Sequence, residues 1–255
     1  MNDPIEAYEI IAHRGFSAIA PENTLAAFDL ALDAGADSIE LDVRLSGDGV
    51  PIVIHDETLD RTTPMRGNVS ETPWRQLRDL DAGSWFDEEF AEERIPTLAE
   101  ALDAIWDIPN ALYLDIKPHP MWTDERIEKL LRLLGERGWL DRCYICSFDP
   151  ALLERFRAES TEVRLCYLVA TEEAFEACLP LASEKKAIVS GLASLLLEEP
   201  GLVGDAKARN IKVLAWVVDD LEIWEQLKQL GVRGVVTNTL CDRALDWFED
   251  EEMMG

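Results

Sequence analysis

Short apolar runs rich in Val, Ile and Leu recur near residues 9–13, 38–43, 112–116, 143–147, 164–169, 187–190, 212–217 and 234–237. Runs of this length and composition, bounded by charged and turn residues, predict strands. Between several of them, apolar positions repeat at helical spacing and carry recognisable ends. Asn23 or Thr24 opens a helix closed by Gly35, Thr97 with Glu100 forms a capping box, and Asp149-Pro150 opens another. Thr123 begins a helix whose Ile127, Leu130, Leu131 and Leu134 make one stripe before Gly138, and Asp219 or Asp220 begins one ending at Gly231. Eight strands alternating with helices over 255 residues predict a single closed (β/α)8 TIM barrel spanning residues 1–255. A doubly wound open sheet is the second architecture compatible with the pattern.

One interval breaks the alternation. Ser46-Gly47-Asp48-Gly49 is too short for a crossover, so residues 50–55 return antiparallel to strand 38–43 as a hairpin. A four-residue loop places His55 opposite Glu40 and a two-residue loop places it opposite Asp42. A three-residue loop pairs it with Leu41 and turns it away. The stretch 56–96 is then an insertion after the second strand, loop-rich yet carrying Trp74, Trp85, Phe86 and Phe90. Its aromatics are suited to folding over the barrel mouth as a small cap or to anchoring the insertion. There is no internal repeat, and Glu249-Asp250-Glu251-Glu252 reads as a solvated helix end.

Charge changes the picture most. The chain has 51 acidic and 24 basic residues, a formal net charge of −27, and a sequence pI near 4.3. That balance opposes nucleic acid and anionic membrane surfaces as partners. It suits either a salt-rich environment or simply a soluble acidic surface. No stretch approaches a membrane span and Met1 to Glu9 lacks an apolar signal core, so a cytoplasmic protein without stable membrane association is expected. Cys143, Cys146, Cys166, Cys178 and Cys241 lie mostly in apolar runs, as reduced thiols acting as small core residues do. The Cys143–Cys146 spacing, with no second pair or nearby His, is a weak metal signal.

The chemistry concentrates at predicted strand ends. His13-Arg14 ends the first strand, Glu40 and Asp42 share one face of the second, and Asp115 and Lys117 share one face of the third. Three clustered carboxylates repel unless one protonates or a cation intervenes, and an all-oxygen set suits Mg²⁺ or Ca²⁺. Such an ion holds non-bridging phosphate oxygens while Arg14 and Lys117 offset the remaining charge. His13 and His55 would divide proton transfer between nucleophile and leaving alkoxide. His119, in Lys117-Pro118-His119-Pro120, is expected to be a loop residue.

The ordered set His13-Arg14-Gly15, Pro21-Glu22-Asn23-Thr24, Gly35-Ala36-Asp37, Glu40-Leu41-Asp42, Asp48-Gly49, His55-Asp56, Leu59 and Arg61-Thr62-Thr63 resembles the glycerophosphodiester phosphodiesterase family. Gly83-Ser84-Trp85-Phe86, Ile95-Pro96-Thr97-Leu98, Asp115-Ile116-Lys117-Pro118 and Ser147-Phe148 extend the likeness over nearly the whole chain. The resemblance implies a metal-dependent hydrolase releasing sn-glycerol 3-phosphate and an alcohol from a small-molecule glycerophosphodiester. It implies His13 and His55 as the acid–base pair, Glu40, Asp42 and Asp115 as ligands of one divalent cation, and Arg14 and Lys117 as phosphate contacts. It also implies Trp216 as a wall of the glycerol pocket, and attack by the substrate hydroxyl to give a cyclic phosphate.

Several residues depart from the family pattern. Asp115 stands where Glu is usual, Cys146 stands where Ser is common, and Trp216-Val217-Val218-Asp219 replaces a Trp-Thr-Val-Asn-like run. Thr237-Asn238 replaces a Thr-Asp ending. A lipid-directed phospholipase of the same barrel type, and a non-catalytic barrel binding phosphate metabolites, are the alternatives.

Overall fold

The computed structural model describes residues 8–183 and 187–240. Cys241 and the acidic run at 249–252 lie outside the described residues. The strands are β1 (Glu9–His13), β2 (Ser38–Leu45), β3 (Pro51–Val53), β4 (Leu112–Ile116), β5 (Cys143–Ser147), β6 (Arg164–Val169), β7 (Ala187–Leu192), β8 (Val213–Trp216) and β9 (Gly234–Thr237). All except β3 pair in parallel, and β1 pairs with both β9 and β2, which closes an eight-stranded barrel. An open sheet has two unpaired edges, so that architecture is excluded.

Helices α1 (Leu25–Asp33), α2 (Trp74–Leu77), α3 (Leu98–Ala104), α4 (Asp124–Glu136), α5 (Pro150–Glu159), α6 (Glu172–Ala182), α7 (Ala193–Glu198), α8 (Gly201–Ala208) and α9 (Leu221–Leu230) accompany the barrel. Thr97 and Glu100 form the expected reciprocal box at α3. Thr24, not Asn23, caps α1, and Asp220, not Asp219, caps α9. Both displaced residues make other bonds described below. Helix α6 is capped by Thr171, whose hydroxyl accepts from Ala174 N–H, and carries Pro180 in its interior, while α7 and α8 have no side-chain cap.

Alternation along each strand sorts two cores. Ile10, Leu41, Val43, Leu112, Leu114, Ile145, Leu165, Val189 and Val213 pack outward against the helices. Ile11, Tyr113, Cys146, Cys166, Ile188, Leu214 and Val236 fill the barrel interior. Cys143 and Cys146, three residues apart on one strand, therefore fall in different cores, which excludes a shared metal ion. Glu9 plugs the N-terminal end, its carboxylate accepting bonds from Tyr113 and Ser38 and pairing with Lys212 at 2.6 Å.

The hairpin register differs from the expectation that carried His55 to the acidic face. Val43, Arg44 and Leu45 pair with Val53, Ile52 and Pro51, and Ser46 N–H donates to the Val50 carbonyl. This is the three-residue-loop register, and a continued strand would set His55 opposite Leu41. Strand β3 stops at Val53 instead. After Ile54 donates to the Asp42 carbonyl the chain bends, and Arg44 Nε donates to the His55 carbonyl at 2.7 Å. The bend, not the ladder, directs His55. Beyond it, residues 56–96 contain two single 3-10 turns and α2, with a small core of Ile52, Ile54, Leu59, Val69, Leu77, Ala82 and Ile95. Trp85 and Phe86 stay exposed, at 39% and 36%, stacked edge-to-face on each other.

Candidate active site

The loop after β1 begins the site. Arg14 and Gly15 both take left-handed backbone angles, with φ of 58° and 82°. A Cβ on Gly15 would lie 2.6 Å from the Ala27 backbone, so α1 packs where only glycine fits. The turn delivers Arg14 N–H to Glu40, 2.9 Å from its carbonyl and 3.0 Å from Oε2. Its guanidinium lies 3.1 Å from Asp42 and 2.8 Å from Glu22. Asn23, also left-handed at φ 60°, donates Nδ2–H to Asp42 Oδ2 at 2.7 Å and accepts from Asp42 N–H.

Strand alternation then gathers the acids. β1, β2 and β4 are adjacent, with His13 paired to Glu40 and Asp42 to Asp115. One carboxylate oxygen from each of Glu40, Asp42 and Asp115 lies within 4.8 Å of the others. Lys117 Nζ reaches Asp42 at 2.7 Å and Asp115 at 2.5 Å. Burial alone would raise the Asp42 pKa, but Lys117 and Arg14 hold its carboxyl well below the usual range. Burial, reinforced by the Asp42 charge, pushes Glu40 well above that range. Burial also raises Asp115 against the pull of Lys117. Two cations therefore do not offset three buried carboxylates, and Asp115 Oδ1 is buried without a hydrogen-bond partner among the described residues. A hard divalent cation fits this donor set, since it supplies the missing charge and a partner for the orphaned oxygen.

Imidazoles flank the acids. His13 Nδ1 is 2.7 Å from Asn238 Oδ1, and its Nε2 is 4.0 Å from Glu40 Oε2. Burial and the Arg14 charge lower the His13 pKa to about 4. His55 Nδ1 is 2.7 Å from Asp56 Oδ1. Arg61 holds Asp56 at 2.8 Å and also grips Glu22, which in turn binds Arg14, so a chain of charges links the insertion to the first barrel loop. The Asp56 pKa falls to about 2, first through the Arg61 hydrogen bond.

The three acids, Arg14, Lys117 and the two imidazoles line one side of a cavity of about 180 Å³ at the C-terminal mouth of the barrel. The other side is apolar: Cys146, Phe148, Leu168, Leu214, Trp216 and Val236. Trp216 Nε1 donates to the Ser190 carbonyl at 2.9 Å, and Phe148 packs edge-on against its ring at 5.5 Å. The mouth thus joins a charged half from β1, β2 and β4 to an apolar half from β5 to β9.

Residues 13–240 match the glycerophosphoryl diester phosphodiesterase family model. The chain belongs to this family. Among similar members, the glycerophosphodiester phosphodiesterase of Caldanaerobacter subterraneus subsp. tengcongensis is 37% identical, over 90% of this chain and 93% of its own. An Oleispira antarctica phosphodiesterase, solved in complex with the product sn-glycerol-3-phosphate, superposes with a TM-score of 0.84 at 33% identity, covering 95% of this chain and 96% of that one. A glycerophosphodiester phosphodiesterase from Agrobacterium tumefaciens gives 0.75 at 29%, covering 91% and 98%.

His13, Arg14, Glu40, Asp42, His55, Asp115, Lys117 and Trp216 all line the one cavity. His119 lies in the loop after β4, where its Nδ1 accepts from Met121 N–H. Residue types and spacing do not disclose the groups that hold the site together: Glu22, Asn23, Asp56, Arg61, Asp219 and Asn238. Apart from their places in the family motifs, Asn23 and Asp219 read in the sequence as competing helix caps, which is what short polar side chains before a helix ordinarily are. Nothing local in the sequence marks Ser190, whose Oγ is buried at the cavity without a hydrogen-bond partner among the described residues.

Proposed function

We propose that this chain hydrolyses glycerophosphodiesters to sn-glycerol 3-phosphate and an alcohol, with one divalent cation, Mg²⁺ or Ca²⁺, and with His13 and His55 as the proton-transfer pair. The observation that carries the reading is the convergence of Glu40, Asp42 and Asp115 within 4.8 Å, beside two imidazoles, in one cavity. Glu40, Asp42 and Asp115 would hold the ion, which when bound supplies Lewis-acid stabilisation of phosphate charge. With the three carboxylates ionised, Arg14 and Lys117 leave an excess of negative charge, which a bound dication would offset so that a phosphodiester anion can enter.

Arg14 and Lys117 orient the phosphate from the charged half of the mouth. Trp216 and Phe148 exclude water from the other half and give the glycerol carbons an apolar face. His55, held by Asp56 through Nδ1, has Nε2 available for a proton at the phosphoester oxygens; His13 has the same arrangement on the opposite flank. Residues 56–96 act as a cap whose functional contribution is Asp56 and Arg61.

Purified protein supplied with sn-glycero-3-phosphocholine and Mg²⁺ is expected to release glycerol 3-phosphate in a coupled dehydrogenase assay. Chelation is expected to abolish turnover and excess divalent ion to restore it. His13→Ala and His55→Ala should each lose at least about 100-fold in kcat while isothermal titration still detects the ion. Normal turnover in both variants would remove the proton roles.

The exposed Trp85 and Phe86 favour a second reading, in which the alcohol carries an acyl chain and the cap meets a lipid surface. The −27 net charge opposes that surface when it is anionic. Faster cleavage of lysolipid micelles than of glycerophosphocholine would establish it.

A further inference from the structure

The structure assigns Asp219 and Asn238 a shared role in setting the tautomer of His13, so that its proton sits on Nδ1 and Nε2 is left as the ring's proton acceptor. An imidazole alone does not choose between its two neutral forms; the partner of one nitrogen decides the state of the other. The partner of Nδ1 is the Asn238 side-chain amide, which has both a donor and an acceptor end. Which end faces the ring therefore determines where the proton lies.

Asp219 makes that choice. Its Oδ1 accepts from Asn238 N–H at 2.7 Å and from the Thr237 hydroxyl at 3.0 Å, and its Oδ2 accepts from Asn238 Nδ2 at 2.7 Å. A carboxylate only accepts, so the Nδ2 end must point at Asp219 and the Oδ1 end at His13. Ser17 adds a second constraint, its hydroxyl donating to the same Oδ1 at 2.9 Å. The acceptor 2.7 Å from His13 Nδ1 requires a proton on Nδ1. The two lone pairs of Oδ1 are then filled by Ser17 and His13, and Nε2 faces the acidic cluster with its lone pair.

The anchors adjoin regular elements of the fold. Asn238 follows β9, the neighbour of β1, and Asp219 immediately precedes the cap of α9. Asp219 and Asn238 are positioning residues, since they act on the reaction only through His13. In the proposed hydrolysis a ring fixed in this tautomer accepts a proton at Nε2 without first having to turn. The opposite tautomer would present N–H to the site and block that step.

The tautomer does not depend on the substrate, so it can be read without turnover. Three histidines make the ring nitrogens resolvable by long-range ¹H–¹⁵N correlation in ¹⁵N-histidine-labelled protein, at a pH where the His13 ring is neutral. The Nδ1–H form is expected in the parent enzyme, and a mixture or the Nε2–H form in Asp219→Ala. With glycerophosphocholine, which rests on the functional reading above, Asp219→Ala should lower kcat by about 10–100-fold and change KM less than about threefold. Asn238→Leu should do the same without an amide to flip.

The exchange variant Asp219→Asn/Asn238→Asp keeps an acceptor at Nδ1 and every heavy atom of the relay. It should hold the Nδ1–H form and recover most of the lost kcat, which separates tautomer control from a folding defect. An Nε2–H ring in the parent, or an unchanged tautomer and kcat in Asp219→Ala, would overturn the assignment. An Nδ1–H ring in a protein that cleaves no glycerophosphodiester would leave it standing and sink only the proposed activity.

Discussion

Lys117 is the residue whose removal separates the energetics of the site from its chemistry. It is mostly buried between Asp42 and Asp115, and the two carboxylates together raise its pKa despite the opposing cost of burial. Lys117→Met leaves both acids without that cation, and breaking a buried pair in this way costs about 3–5 kcal/mol. The thermal midpoint of the variant should fall in chelator and rise again with millimolar Mg²⁺, because the dication replaces part of the lost charge. A midpoint unmoved by Mg²⁺, measured by calorimetry, would show that the three acids do not form a cation site. The individual acids, histidines and cations were legible in the sequence because such residues are conspicuous in apolar runs. The roles of their partners were not, since Glu22, Asp56, Arg61 and Asn238 appear in the sequence as motif positions without an assigned contact until distance gives them one.

Elements, more than single side chains, carry the site to the barrel mouth, and the loop between β1 and α1 does so with least tolerance. Gly15→Ala would put a methyl group 2.6 Å from the Ala27 backbone at a φ of 82°, so the loop must shift. We expect a loss of about 1–3 kcal/mol in chemical denaturation together with weakened activity, because Arg14 precedes the glycine. Thr97→Ala at the start of α3 provides the contrast: it removes a complete capping box outside the cavity lining, costs about 1 kcal/mol, and should leave kcat unchanged. If both variants lose activity in proportion to stability, the loop has no special part in positioning Arg14. Helix α6, with its Thr171 cap, was passed over, while α1, α3, α4, α5 and α9 were readable in advance from their caps and closing residues. The pair α7 and α8 was not, because α7 lacks a side-chain cap and both are short. The hairpin shows the same limit from the other side. Its existence followed from loop length, while its register and the bend that rescues His55 depended on bonds from Ser46, Asp42 and Arg44 to residues across the turn.

For the molecule as a whole, a closed barrel carries an acidic surface and buries its own acidic centre. The formal charge of −27 repels itself over a screening length of about 30 Å at 0.01 M salt and about 3 Å at 1 M. We expect the chain to stay cooperatively folded at both limits, with a higher melting temperature in molar KCl. Loss of far-ultraviolet circular dichroism at low salt would instead reveal a fold that requires salt. Among the described residues, no helix is long and apolar enough to cross a membrane. The order of residues along the chain was enough for the barrel, because period-two and helical spacing are local. It was enough for the acids and His13 too, because alternation sets the face of every strand residue, whereas His55 reaches the cavity through a bend after β3 that alternation does not give. What those groups touch came from folding in three dimensions. Sheet closure sets β1 beside β9, which brings Asn238 to His13 across 225 positions of chain. The insertion folds back so that Arg61 and Glu22, 39 positions apart, form one ion pair. Hydrogen bonds and charges act over a few ångströms, and no local pattern records which distant residues come within that range.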